Sequence, residues 1–354
     1  MAEGIYDHVV LGSGALAGLV AGLLAIEHGR RVVIVGDPAS PFRLQRSFDL
    51  SVAVLTRPET LLLLKRVAAE TSKLLGGIGK GLTERIDPLF VAETPASIAA
   101  LSHFRHLARA LGYAVEPHAD RNLTEGTIVR VRDVTLLAQA KLGPALEEWL
   151  TAHDVRRLDR AETVVTLRRD GTARIVAGGL EVEAAHAILA DDAAILAHLP
   201  EDLRDRSLVL HSTAAILIEP LKALPAPLSA YLDRGVTLHQ DGKASVSAIV
   251  TGDPATAHAR LGASIARTDP VRRAGETHFP SFATTDGAPL FTTARGSKAT
   301  MLAGFGATGA FLAPAIARMI AGKAGPDETA WFAARATLRG NQRLDAAEFA
   351  PVLT

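Results

Sequence analysis

Two glycine clusters carry the spacing from which chemistry can be read in this 354-residue chain: Gly12-Ser-Gly14-Ala-Leu-Ala17 and Gly304-Phe-Gly306-Ala-Thr-Gly309. The first has the form Gly-x-Gly-x-x-Ala. In such a stretch Gly12 permits a tight turn, and Gly14 lets backbone approach a pyrophosphate. A small residue, Ala17 or Gly18, keeps the following helix close to its sheet. The anion then sits at the positive end of the helix dipole. An acidic residue at the end of the next strand would complete the fingerprint by bonding the ribose hydroxyls. Here that strand ends Val35-Gly36-Asp37. Asp37 either serves with a one-residue offset or opens the loop Asp-Pro-Ala-Ser-Pro.

These residues need a strand, a turn and a helix to hold them. The run His8 to Ala25 has scarcely a charge, and it raises two other readings. A signal peptide needs a basic flank, whereas here the flank is acidic or neutral, with Glu3 and Asp7 before the run and His8 at its start. A membrane span needs about 20 apolar residues, and this run is slightly short with Gly12, Ser13 and Gly14 inside it. A β-α-β unit fits better: strand Tyr6–Leu11, helix Ala15–His28 closed by Gly29, and strand Arg31–Val35. Far along the chain, Asp286-Gly287 marks a loop, Thr300–Ala303 a strand, and about 310–321 an apolar helix behind the second glycine cluster. A second strand–glycine–helix element is unusual in a plain NAD enzyme. In many flavoproteins such a helix points its N-terminus at the flavin, where the dipole stabilises negative charge on the reduced ring.

With Asp286-Gly-Ala-Pro289, Gly304 to Gly309 and Leu312-Ala-Pro314 in that order, the chain resembles the D-amino acid oxidase/glycine oxidase (DAO) family of FAD-dependent oxidoreductases. The order of elements between the ends is similar too. Residues 86–118 look like the entry to a substrate domain. A β-meander turning at Asp170-Gly171 and Gly178-Gly179 looks like the return, with an adenine-side strand near Val164 and a strand His186–Ala190. The resemblance implies an α/β fold: an FAD-binding Rossmann-like domain, glutathione-reductase-like and of DAO type, with an interleaved antiparallel-sheet substrate domain. The expected division is 1–65, 125–205 and 275–354 for the FAD domain, and 66–124 and 206–274 for the substrate domain. It also implies non-covalent FAD, held by Gly12, Gly14, Ala17, Gly36, Asp37, Arg43, Val164, Asp192, Gly304, Gly306, Thr308 and Gly309. On the substrate side it points to His278, Phe305 and Arg46.

Several positions depart from the family pattern. Gly36 stands where glutamate is usual. Asp191-Asp192 stands where Ala-Gly is usual, and an aspartate there implies altered or weakened cofactor binding. Phe279-Pro280 stands where many members carry Arg-Pro, whose arginine clamps a substrate carboxylate.

Composition narrows the field further. The formal net charge is zero, with 38 acidic and 38 basic side chains, which gives no electrostatic case for nucleic acid or an anionic membrane. No cysteine is present, so disulfides, thiolate metal sites, iron–sulfur clusters and a cysteine-attached flavin are excluded. No metal site is expected: the histidines form no ligand pattern, and His103 and His106 read as a solvated helix face. Gly76 to Thr83 lacks phosphate-loop spacing and reads as a flexible loop. The pairs Arg156-Arg157, Arg168-Arg169 and Arg272-Arg273 read as solvated strand edges or turns. Beyond Pro326 the chain reads as one or two amphipathic helices, with Trp331 and Phe332 packed on the body or on a partner.

The expected function is therefore oxidation of a C–N bond of an amine or amino-acid-like small molecule, with hydride passing to flavin N5 and electrons to oxygen or another acceptor. A cytoplasmic protein is expected, with no membrane span, and with a protein partner or a second copy left open. Two rivals stand beside this reading. One is a degenerate flavoprotein-fold subunit or maturation component with weak, structural or no FAD binding. The other is an NAD-dependent dehydrogenase.

Overall fold

The computed structural model describes residues 5–40, 42–120, 123–201, 208–219, 223–241, 245–265 and 272–336. The chain opens with β1 (Tyr6–Leu11), α1 (Ala15–Ile26) and β2 (Val32–Gly36). Gly29, at φ +60°, ends the helix turn, so α1 stops two residues short of His28. Then come α2 (Pro58–Ile78), β3 (Thr83–Ile86), β4 (Leu89–Ala92), α3 (Pro95–Ala110), β5 (Val115–His118), β6 (Thr127–Val131) and β7 (Val134–Leu137). The middle holds α4 (Gln139–Ala152), β8 (Arg156–Asp159), β9 (Thr163–Leu167), β10 (Ala173–Ala177), β11 (Leu180–Leu189) and α5 (Asp192–His198). Last are β12 (Leu208–Ile218), β13 (Leu228–Tyr231), β14 (Val236–Gln240), β15 (Val246–Thr251), α6 (Pro254–Ile265), β16 (Arg273–Thr284), β17 (Leu290–Thr293), β18 (Thr300–Ala303), α7 (Ala313–Ile320) and α8 (Pro326–Ala336).

Two large sheets result. The first runs β17-β18-β11-β1-β2-β8, with the β9–β10 hairpin paired onto the first half of β11. Its strands β18, β11, β1, β2 and β8 are mutually parallel. Their buried residues form near-continuous apolar runs, as a sheet covered on both faces requires. Helices α1, α2, α4, α7 and α8 cover one face, and the hairpin and α5 cover the other. The second sheet runs β16-β12-β15-β14-β13-β4-β6-β5 and is antiparallel except for β13 beside β4. One of its faces packs on α6, and the other joins the main core. Strands β6 and β16 both pair in this second sheet, so the chain changes sheet after about 131 and 284. Helix α2 spans the expected break at 65 and packs among the helices of the first sheet.

Small residues set how close the helices lie. A Cβ on Gly18 would stand 3.2 Å from Leu146 of α4, and one on Gly22 would overlap the Trp149 ring at 2.0 Å. Gly76 and Gly77, expected in a loop, instead finish α2. Arg157 is no solvated edge residue: its side chain is 12 % exposed and pairs with Glu147 at 2.5 Å. Trp331 and Phe332 are buried on the body, and Trp331 Nε1 donates to Thr60 Oγ1 at 3.1 Å. The part of the tail expected beyond 336 lies outside the described residues.

The ion pair between Arg318 of α7 and Glu328 of α8 ties these helices together, at 2.6 Å with Glu328 buried. Glu70 of α2 adds a second carboxylate at 2.8 Å. Removing the cation leaves the buried Glu328 carboxylate with the more distant Arg66, at 3.6 Å, as its described cation. Arg318→Met should therefore cost about 3 kcal/mol in urea unfolding. An unchanged midpoint would show that the pair is dispensable.

Candidate functional site

Parallel strands end together, so their carboxyl edge gathers the loops that follow Leu11, Gly36, Leu189 and Ala303. In open α/β sheets this edge is where ligands bind. Both glycine clusters lie on it, and they touch: a Cβ on Gly309 would stand 3.5 Å from Leu16 of α1. Gly304 and Gly306 have φ of +67° and +52°, a backbone that glycine adopts without strain. A side chain started at Gly14 or Gly306 would meet nothing within 4 Å. Those two glycines border open space, as a backbone cradle for a dinucleotide requires. Ala17 is fully buried against Gly12, with 2.9 Å between its Cβ and a Cβ placed on the glycine.

At Gly36 the packing is tighter still. A Cβ there would lie 2.2 Å from the carbonyl oxygen of Gly12. This explains why glutamate is missing: the turn after β1 occupies the space where its side chain would begin. Asp37, the next residue, has its N–H bonded to Ser13 Oγ at 2.8 Å and its carboxylate paired with Arg43 at 3.0 Å. The expected ribose partner and the expected phosphate partner thus hold each other.

The two aspartates after β11 divide their work. Asp191 enters the first glycine turn, where its Oδ2 accepts the Ser13 N–H at 2.7 Å and its Oδ1 accepts Ala194 N–H at 2.8 Å. Burial pushes its carboxyl up from the usual range. Asp192, the residue expected to meet the cofactor, instead turns to β16 and accepts Phe282 N–H at 3.0 Å. Burial pushes it up to about 6.

A further carboxylate, unforeseen from the sequence, lies at the other glycine turn. Asp49 is buried and accepts from Ser47 Oγ at 3.2 Å, from Gln139 Nε2 at 2.5 Å and from the Ala310 N–H. Desolvation raises it to about 6. Leu50 N–H donates to the Ala307 carbonyl at 2.6 Å, so this segment runs along the turn. Only the flanking residues in Ser-Phe-Asp-Leu-Ser-Val hint at burial; nothing local marks the tertiary partners.

The substrate-side candidates separate by face. Side chains alternate along a strand. A Cβ on Gly275 would lie 3.7 Å from Leu44, and the Arg46 guanidinium stands 5.2 Å from the Phe279 ring centroid. Odd-numbered residues in this part of β16 therefore face the loop after β2. His278 faces the other way. It pairs with Glu276 at 2.9 Å, a carboxylate shared with Arg273 at 2.6 Å and His258 at 3.2 Å. Its opposite neighbour on β12 is Ala214, which packs in the α6 core. His278 is thus removed from the group around Arg46. Phe305 is 5 % exposed and packs in the main core. Thr308 is buried and its hydroxyl returns to the Phe305 carbonyl at 3.3 Å. Val164, on the outer strand β9, is 66 % exposed. Among the described residues no three metal-ligating side chains cluster, and no helix is long and apolar enough to cross a membrane.

No protein-family model and no curated protein matches the sequence. Solved structures do match its shape. L-proline dehydrogenase from P. horikoshii has a TM-score of 0.71 at 14% identity, covering 93% of this chain and 96% of that one. Glycine oxidase from Geobacillus kaustophilus has 0.67 at 14%, covering 97% and 98%. Iminodiacetate oxidase from a Chelativorans species has 0.64 at 15%, covering 98% and 100%. The chain has the glycine oxidase fold. The α/β architecture expected for the DAO type is thereby established across nearly the whole chain.

Within that fold the buried carboxyls titrate in a definite direction. Folded Asp49 keeps its proton to about pH 6, whereas the unfolded chain releases it near 3.8. The folded state is favoured by this group below the lower value, and the advantage is lost as pH rises to the upper one. Relative to wild type, Asp49→Asn should gain about 3 kcal/mol of stability between pH 4 and pH 7. Parallel curves of urea midpoint against pH would refute the assignment. Separately, Gly36→Ala should destabilise by roughly 1–3 kcal/mol, since the obstructing atom is backbone.

Proposed function

We propose that this protein is an FAD-dependent oxidoreductase acting on a C–N bond of an amine or amino-acid-like small molecule. The observation that carries the reading is the meeting of two glycine turns at one carboxyl edge, with open space beside Gly14 and Gly306. The glycine oxidase fold supports it. Non-covalent FAD would be held by backbone at Gly12–Leu16 and at Gly304–Gly309, with α1 directing its N-terminus at the pyrophosphate. When bound, FAD supplies a hydride acceptor for the carbon next to nitrogen. The chain's own contribution is positioning and electrostatics. The segments around the first sheet form the FAD domain, and the second sheet forms the substrate domain.

Arg46 is the side chain best placed to hold an acidic substrate group. It lies over Phe279, the position at which the resembling family carries its arginine. The clamp would then come from the loop after β2 rather than from β16. No described carboxylate pairs with Arg46, so its guanidinium donors are available for a bidentate contact.

A second reading, a flavoprotein-fold subunit without turnover, is favoured by the carboxylates of Asp191 and Asp49 at the two turns. Absorbance separates the two. Purified full-length protein should carry or take up FAD, with a flavin spectrum released on heating. Gly14→Asp should abolish that uptake while leaving the circular dichroism unchanged, because a carboxylate would face the pyrophosphate. A colourless wild type that takes up no added FAD would move the conclusion to the second reading.

A further inference from the structure

The carboxylate of Asp191 sits where a bound anion would be expected to sit. It takes the N–H of Ser13, inside the Gly-x-Gly turn, at 2.7 Å. Its Oδ2 is 3.2 Å from a Cβ placed on Gly12. The same turn then bonds Asp37 N–H through Ser13 Oγ, and Gly12 closes on Gly36. Three loops, after β1, β2 and β11, are thus fastened by one acidic side chain and one hydroxyl. Turn N–H groups at a helix N-terminus attract anions, whether these belong to a ligand or to the chain.

We propose that Asp191 is an internal anion that holds the first glycine turn closed and lowers the affinity of that turn for the FAD pyrophosphate. The inference rests on the FAD reading. Its physical basis is competition in two forms. Asp191 already uses one of the turn's donors, and its charge opposes the incoming phosphates. The surrounding charges do not cancel it: Asp37 and Asp192 add to the repulsion, Arg43 is engaged by Asp37, and Arg160 is the cation among the described residues that acts on Asp191 from the opposite sign.

Asp191 also caps α5 through Ala194 N–H, a task that an Asn or Ser oxygen performs as well. Replacing it by either should therefore keep the fold and strengthen cofactor binding. A residue that served only the structure would leave FAD binding unchanged or weaken it.

The test uses the full chain freed of flavin, titrated with FAD at pH 8 and followed by quenching of flavin fluorescence. Asp191→Asn keeps the shape and removes the charge. Asp191→Ser keeps a capping oxygen and guards against misfolding of the first variant. Both should bind FAD at least tenfold more tightly than wild type while remaining folded without ligand. Wild type binding FAD as tightly as both folded variants, or more tightly, would overturn the role of Asp191 and leave the FAD reading standing. Folded wild type and variants that all ignore FAD would overturn both.

Discussion

The backbone of Gly12 passes so near Gly36 that no side chain can begin there, and the carboxyl edge is organised around that approach. A closed turn brings Ser13 within reach of Asp37 on one side and of Asp191 on the other. The acidic partner usual at the end of such a second strand is therefore excluded by the same contact that binds the loops together. The bare Gly36 and the Asp191–Ser13 contact belong to one geometry.

Acidic side chains gather at this carboxyl edge. Asp37, Asp191 and Asp49 reach the two glycine turns and Asp192 turns to β16, and burial raises Asp191, Asp192 and Asp49. Each is stabilised by backbone or side-chain donors rather than left bare: Ser13 and Ala194 for Asp191, Phe282 for Asp192, and Ser47, Gln139 and Ala310 for Asp49. A desolvated carboxylate with several donors is tolerated at a cost.

Much of the fold was legible because its signals are local. The strands Tyr6–Leu11 and Thr300–Ala303 were bounded by glycine turns, and their limits coincide with those observed. Gly76-Gly77 misled because glycine suggests a loop, whereas helix α2 is held by its buried leucines to Ile78. The stretch 310–312 is a tighter 3-10 turn ahead of α7, a distinction that apolar periodicity does not carry. The site was less legible. Which of two adjacent aspartates enters the turn depends on strand register and on Phe282, some ninety positions away. His278 and Phe279 look equally exposed to a ligand in sequence, and only the pleat of β16 assigns them to opposite faces. Asp49 has no motif, since its partners come from β7–α4 and from the second glycine turn.

The central position of β1 has a consequence for how the chain is made. One edge of β1 pairs with β2 within the same short unit, but its other edge pairs with β11, with Tyr6 opposite Ala184. Strand β18, which completes that side, is later again. During synthesis one edge of the apolar strand β1 stays unpaired until Leu189 has emerged, roughly half-way along the 354-residue chain. Pairing over such separations is slow, and exposed strand edges invite association with other chains. The first sheet is thus completed only when β17 and β18 have emerged, and until then its unpaired strand edges are open to association with other chains.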